Sequence, residues 1–248
     1  MAYDLRSISQ VGTSEPFELQ VSRGQIPGHS ALFKYGYNPN IVNIEETIWD
    51  VGGIYSYPTS AVPMTVTSAG GATDEDVQVF VQGLDSDYNI LSETVTLNSA
   101  GTALTNGLFL RVFRAFVAGS QAPTGNITVT NTGVTYAQIT LGENQTLMAV
   151  YTVPAGHSLY IYDGVVTHGT DNSGAFMTIR FLTRAVGGVF RTGVKVDVIN
   201  SELIFPFAQP LRIPEKTDVE VRAVCSKNQT NAISSVFQGI VIKEQGSL

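Results

Sequence analysis

Three histidines, one cysteine and two runs of carboxylates are the residues of this chain whose types could do chemistry. Asp85-Ser86-Asp87-Tyr88-Asn89 places oxygen ligands at alternate positions, as in the first half of a calcium loop surrounding a hard cation. The glycine such a loop needs next is Ile90, and the next acid, Glu93, comes too early to close it. A polar hairpin turn, in which Asp and Asn bond their own backbone, accounts for the same letters and is the expected structure. Asp74-Glu75-Asp76, beside Gly70-Gly71, offers three consecutive carboxylates that cannot all converge on one ion, so a solvated loop tip is expected. His29, His157 and His168 are scattered. A metal or general-base role would need further ligands or an oriented carboxylate. Asp163 and Asp171 are near in sequence, but nothing in the sequence brings them near in space, and surface turn histidines are expected. Cys225 follows Val221 and Ala223 on one strand face, where a free cysteine packs as a small hydrophobe. No nucleophile elbow, zinc-protease pair, phosphate loop or dinucleotide fingerprint occurs. A glycosidase-like carboxylate pair is not excluded by sequence alone, although the acids fall mostly at turns or on outward strand faces. The expectation is a chain that is not an enzyme, with no catalytic residue, no cofactor and no metal.

The elements that must position these residues are strands. In Thr217-Asp218-Val219-Glu220-Val221-Arg222-Ala223 the apolar side chains fall on one face and the charged ones on the other, the period of a half-buried antiparallel strand. Lys195 and Asp197 alternate with Val194, Val196 and Val198, and Thr178 and Arg180 with Met177, Ile179 and Phe181. No segment sustains a period of 3.6.

Composition limits what such a shell can do. Of 248 residues, 43% are hydrophobic and 14% charged, against roughly 25% charged in ordinary soluble domains. A sparsely charged surface is expected where partner subunits cover it. The net charge of −7 argues against phosphate-driven nucleic-acid binding, and no basic run suits an anionic lipid surface. A single cysteine excludes an intramolecular disulfide. Met1-Ala2-Tyr3-Asp4-Leu5-Arg6 lacks the pattern of a secretory signal, and no apolar run approaches the ~20 residues of a membrane helix. A soluble protein made in a cytoplasm is expected, binding neither membrane nor nucleic acid.

Along the chain the expected order is an extended N-terminal arm over residues 1–40, a first β-sandwich over 41–135 and a second, jelly-roll-like sandwich over 136–248. The arm includes a short strand with Phe17, Leu19 and Val21 on one side, then Gly and Pro punctuation around Phe33, Tyr35 and Tyr37. It reads either as an irregular lead-in strapped across the body or as an arm reaching a neighbouring subunit. In the second case Phe17, Leu19, Phe33, Tyr35 and Tyr37 are the partner-contacting residues, since aromatics supply rigid contact area. Thr132-Gly133-Val134-Thr135 is the expected boundary between sandwiches. Further strands are expected near 147–153, 159–162, 176–182, 194–199, 219–224 and 237–243, a spacing that suits a sandwich.

Several segments together resemble virion structural proteins of tailed bacteriophages, especially those of aquatic bacteria. They are Phe17-Glu18-Leu19-Gln20-Val21 with Arg23-Gly24-Gln25-Ile26 and Gly28-His29, then Glu45-Glu46-Thr47-Ile48-Trp49-Asp50-Val51-Gly52-Gly53. Gly83-Leu84-Asp85 through Ser92-Glu93-Thr94-Val95-Thr96-Leu97 follows, then Asn144-Gln145-Thr146-Leu147-Met148-Ala149-Val150-Tyr151-Thr152-Val153-Pro154-Ala155-Gly156, and Pro214-Glu215-Lys216-Thr217-Asp218. The resemblance implies a place in the virus particle after synthesis in the bacterial cytoplasm. It implies a capsid decoration or cement protein that contacts the major capsid protein and other virion subunits, as a homo-oligomer such as a trimer. The alternative is a tail, neck or fibre module recognising a host glycan, with Trp49, Tyr55, Tyr57, Tyr160 or Tyr162 stacking on sugars.

Overall fold

The computed structural model describes residues 15–169, 174–199 and 201–244. Its strands are β1 (His29–Ile41), β2 (Glu46–Thr47), β3 (Val62–Ser68), β4 (Gln78–Leu84), β5 (Ile90–Thr96), β6 (Thr102–Phe109), β7 (Arg111–Val117) and β8 (Ile127–Asn131). They continue as β9 (Val134–Ile139), β10 (Val150–Thr152), β11 (His157–His168), β12 (Met177–Ala185), β13 (Arg191–Val198), β14 (Glu202–Ile213), β15 (Thr217–Cys225) and β16 (Asn231–Lys243). Helix α1 (Phe17–Ser22) and a 3-10 turn at Gly71–Asp74 are the helical segments among the described residues. The chain is all-β, as the alternating pattern requires.

Four sheets make two sandwiches. One sandwich sets β1-β16-β11-β14 against β10-β15-β12-β13, with β2 continuing the row beside β15. Its core joins Ile41, Leu159, Ile161, Met177, Val219, Val221 and Phe237. The other sets β6-β3-β8-β9 against β5-β4-β7 around Met64, Val66, Val79, Phe109 and Ile127. Every strand of this second sandwich lies between β2 and β10 in sequence, so it is an insertion in a connection of the first. The register keeps apolar positions inward: Ile179 pairs with Ala223 and Val196, and Ile179 and Val196 each lie between polar neighbours, Thr178 with Arg180 and Lys195 with Asp197.

The N-terminal expectation is corrected in two places. Phe17–Ser22 is a helical turn, not a strand. Its amides at Leu19 and Gln20 bond Pro16 O, and Gly24, at φ 68°, ends it by sending its own N–H to Val21 O and that of Gln25 to Gln20 O. This is a Schellman stop, which needs the left-handed residue glycine provides. The alternation of Phe17, Leu19 and Val21 is coincidental, since only Val21 is buried. The expected arm of residues 1–40 is likewise not what His29–Ile41 builds: this is a full-length strand paired with β16 from His29↔Ile242 to Ile41↔Asn231. Gly36 explains how β1 fits, because a Cβ there would stand 2.3 Å from Ile48 O and 2.5 Å from Ala149 N. Residues 1–14 lie outside the described residues.

The expected boundary at 132–135 is also corrected. Thr132 and Gly133, at φ 46° and 81°, are the paired left-handed residues of a tight hairpin turn between β8 and β9. The inserted sandwich therefore runs on to Ile139. Pro206 and Pro210 mask β14 in the sequence; it lies at a sheet edge, where missing N–H donors are tolerated.

Candidate subunit-contact surface

The outward face of the β1-β16-β11-β14 sheet carries the residues singled out by sequence. Lys34, Gly36 and Asn38 of β1 point inward and are buried, which turns Phe33, Tyr35 and Tyr37 outward. The register aligns Tyr35 with Val236, Val165 and Ile204 in one row across the sheet. Phe33, Gln238, Asp163 and Pro206 form the next row, and Tyr37, Ser234, Thr167 and Glu202 the row on the other side. Phe33 is 63% exposed and Ile204 55%, whereas Tyr35 and Tyr37 are half-buried. Desolvation raises the Tyr35 pKa above its ordinary value, opposed by a hydrogen bond with Ser234 and reinforced by the neighbouring Tyr37 and Glu143. A row of apolar side chains on a sheet face, rimmed by polar ones, is the composition of a contact surface.

Helix α1 adds Phe17 and Leu19, each 46% exposed, to this region. Phe17 packs edge-on against His29 at 6.0 Å, at the start of β1. Glu18 is close enough to Tyr162 of β11 to help raise the phenol pKa, after the larger effect of burial. The helix packs beside the start of β1. The structure thus brings Phe17, Leu19, Phe33, Tyr35 and Tyr37 to one sheet and its helix.

The outward face of the opposing sheet is not free. Asp218 and Glu220, expected in solvent, are 2% and 0% exposed because the inserted sandwich sits on them. Asp218 accepts from Arg111 Nε at 2.8 Å, from Arg184 Nη2 at 2.6 Å and from Thr152 Oγ1 at 2.7 Å. Glu220 accepts from Arg222 Nε at 2.8 Å, Tyr57 Oη at 3.2 Å and the Thr47 hydroxyl. The guanidiniums also stack: Arg184 lies 4.3 Å from the Tyr57 ring and 4.5 Å from Phe190, with Arg111 on the other side of the network at 5.2 Å from Tyr57. Each buried carboxylate is met by charged donors, the condition under which such groups are tolerated. The apolar cores also touch, with Phe113 of β7 against Tyr151 of β10 at 4.9 Å. The two sandwiches are therefore held together by polar and apolar contacts at once.

The remaining chemical candidates resolve individually. Asp85 Oδ1 accepts the amides of Asp87 and Asn89, both at 2.9 Å, which is the expected hairpin turn. Asp74 is corrected: it is fully buried, bonded by Ser68 and, at 2.8 Å each, by the amide and hydroxyl of Thr124. Burial alone would raise its pKa, but these hydrogen bonds outweigh it and hold the carboxyl below its ordinary value. His168 is also corrected, being 5% exposed at the end of β11 beside Asn231, while His29 and His157 are half-buried near turns. Cys225 is buried, with the Asn231 amide 3.3 Å from its sulfur. Among the described residues, no three of His, Cys, Asp and Glu gather as metal ligands would. Of the aromatics proposed to stack on sugars, Trp49 and Tyr55 are core residues at 3% and 2% exposure, and Tyr57 lies within the arginine stack.

No family model matches the chain, and neither does any curated protein. Among solved structures it is similar to that of infectious bursal disease virus, Gx strain, at 12% identity over 88% of this chain and 73% of that one, with a TM-score of 0.27. The T13 particle of the same virus matches at 12% identity, 92% and 79% coverage and a TM-score of 0.24. Its VP2 subviral particle matches at 12% identity, 93% and 82% coverage and a TM-score of 0.18. Likeness at these scores bears on neither the fold nor the role of this chain.

Proposed function

We propose that this chain is a structural component of a phage particle, a capsid decoration or cement protein that binds and stabilises the shell through subunit contacts. The observation that carries the reading is the outward sheet face with Phe33, Tyr35, Val236, Val165 and Ile204 in register, flanked by Phe17 and Leu19 of α1. Support comes also from the strand order. Numbered within their own sandwich, leaving out β2, its strands run 1-8-3-6 in one sheet and 2-7-4-5 in the other. In this reading the sandwich, β1 included, is a jelly roll, since wrapping one long antiparallel ribbon over itself would give such an order. The resemblance to tailed-phage virion proteins supplies the particle. The major capsid protein and other virion subunits are the partners in this reading. Closed symmetry would make the assembly a homo-oligomer such as a trimer. No chemistry is assigned to it, and its place is the virion after synthesis in the host.

The test is incorporation. Particles carrying the protein as decoration should hold on the order of hundreds of copies, as multivalent coverage of a shell requires. Phe33→Asp combined with Ile204→Asp should leave the soluble protein folded, since both side chains are exposed, yet remove it from particles. Incorporation of the double variant at undiminished copy number would discard this face as the contact. Absence of the unaltered protein from purified particles would discard the role.

A further inference from the structure

Lys34 lies on the inner side of the strand that displays Phe33 and Tyr35, and it enters the seam between the two sandwiches. Its Nζ donates to the Phe113 carbonyl oxygen and stands 5.7 Å from the centroid of the Phe113 ring. The side chain is 7% exposed, and no carboxylate bonds it among the described residues. An ammonium carries three donors, so one acceptor leaves it under-satisfied. The seam opens there into a cleft of about 430 Å³.

Arg114 lines the same cleft, exposed and stacked 4.9 Å from the Phe116 ring, and it too has no carboxylate partner among the described residues. Gln82 faces Arg114 directly across the β4–β7 pairing, and Gln145 lies beside them. No acid lines the cleft; its apolar walls include Phe33, Ile90 and Tyr151. The contrast with the Arg111–Asp218 network is chemical: there every buried charge meets its opposite, and here two cations converge without one. In a chain of net charge −7, this pocket is lined by two cations and no acid.

We propose that this cleft binds a carboxylate, whose oxygens take the unused donors of Lys34 and Arg114 while its organic body rests on the apolar wall. A guanidinium fork matches a carboxylate in two bonds, and the apolar wall favours an organic acid over a hydrated inorganic ion. The acid is either a small free molecule or a carboxylate borne by a neighbouring polypeptide. The site is independent of the virion reading.

The expected signature is a pH dependence. In the free protein, burial first and the Arg114 charge second lower the Lys34 pKa from 10.5 to about 7. The other titratable groups on the cleft, Tyr35 and Tyr151, are both raised above the ordinary phenol value, chiefly by burial, and do not titrate in this range. A bound carboxylate favours the ammonium, so above pH ~7 binding must take up a proton and affinity should fall by up to about tenfold per pH unit.

The experiment follows the Lys34 side-chain resonances by NMR while the whole protein is titrated with sodium benzoate. A parallel titration uses a short peptide with a free C-terminal carboxylate, and its C-terminal amide as control. Saturable Lys34 shifts that weaken with rising pH and vanish in Arg114→Gln are expected; in Lys34→Met, where the backbone amides of Phe113 and Arg114 report instead, their response to the probes should be lost as well. Response to benzoate alone assigns a free acid; response to the peptide acid but not its amide assigns a polypeptide carboxylate. Because Arg114 is exposed, Arg114→Gln should fold even if Lys34→Met does not. Absence of any Lys34 response to both probes at millimolar concentration, or binding that persists in Arg114→Gln, overturns the proposal.

Discussion

Arg111 and Asp218, 107 positions apart in sequence, meet at 2.8 Å where the inserted sandwich rests on the sheet of the other. Arg111 is 7% exposed and Asp218 2%, so the pair is dry, and Arg184 completes it from β12. The network joins strands from both sandwiches, β7 on one side and β12 with β15 on the other.

Asp218→Asn should therefore destabilise the protein by about 3–5 kcal/mol, the usual cost of leaving buried charges without their partner. The double variant Asp218→Asn with Arg111→Met should recover part of that loss, because it removes one orphaned cation. Urea unfolding of the two single variants and the double one measures the coupling. Simple additivity would mean that Arg111 and Asp218 do not act as a pair.

Asp50 should give the protein a distinct acid-side dependence. Its Oδ2 accepts from Thr140 at 2.6 Å, while its Oδ1 is buried without a hydrogen-bond partner. Burial, partly offset by that bond, raises its pKa from 3.8 to about 6. The protonated form is thus favoured in the folded state. The stabilisation it gives is complete below the unfolded pKa and is lost as pH rises through the folded one. The stability difference between Asp50→Asn and the unaltered protein should shift by about 1–3 kcal/mol between pH ~4 and ~6.5, in favour of Asn at the higher pH. Melting curves across that range decide it, and a flat difference would be incompatible with the raised pKa.

Thr132 occupies a left-handed position at φ 46°, which a β-branched residue adopts only at a cost. Thr132→Asn, preceding Gly133, should place the favoured Asn-Gly pair in the turn and stabilise the protein by about 0.5–1 kcal/mol. Equilibrium unfolding checks the sign. Loss of stability would mean that the Thr132 hydroxyl, 3.2 Å from Asn131 Oδ1, contributes more than the backbone strain costs.

Removing residues 1–40 should abolish folding of the sandwich that contains β1, because its pairing with β16 and the inward side chains of Lys34 and Asn38 go with it. Circular dichroism and thermal melting of the truncated chain test this. A cooperatively melting β-protein would return the segment to the status of an arm.

The fold class was legible because Val219, Val221 and Ala223 alternate with charges, and such a pattern has one backbone solution. Which side those charges face was not. Asp218 and Glu220 carry the same period whether they meet water or the arginines of another sandwich, and nothing local distinguishes the two. β1 was hidden because Gly36 and Pro39 look like punctuation, whereas Gly36 is required by close backbone contact and Pro39 falls at an irregularity in the pairing between Asn38 and Ile41. The outward aromatics were legible by type: Phe33, Tyr35 and Tyr37 fall on one strand face because their spacing is two. Lys34 carried no signal, since a cation between aromatics at that spacing reads as the solvent-facing alternate.

The nesting of one sandwich within a connection of the other also sets an order of events during synthesis. All strands of the inserted sandwich fall between Val62 and Ile139, so its pairings can close while the rest of the chain is still being made. Tyr35, by contrast, pairs with Val236 and waits for nearly the whole described chain. Until β16 emerges, β1 lacks its strand neighbour, and the aromatic row that it will display stands in solution beside N–H groups that β16 will later bond. Such long-range closure is the slow, aggregation-exposed part of folding. The nascent chain is therefore most vulnerable to misassociation in the interval between completion of the inserted sandwich and arrival of its last strand.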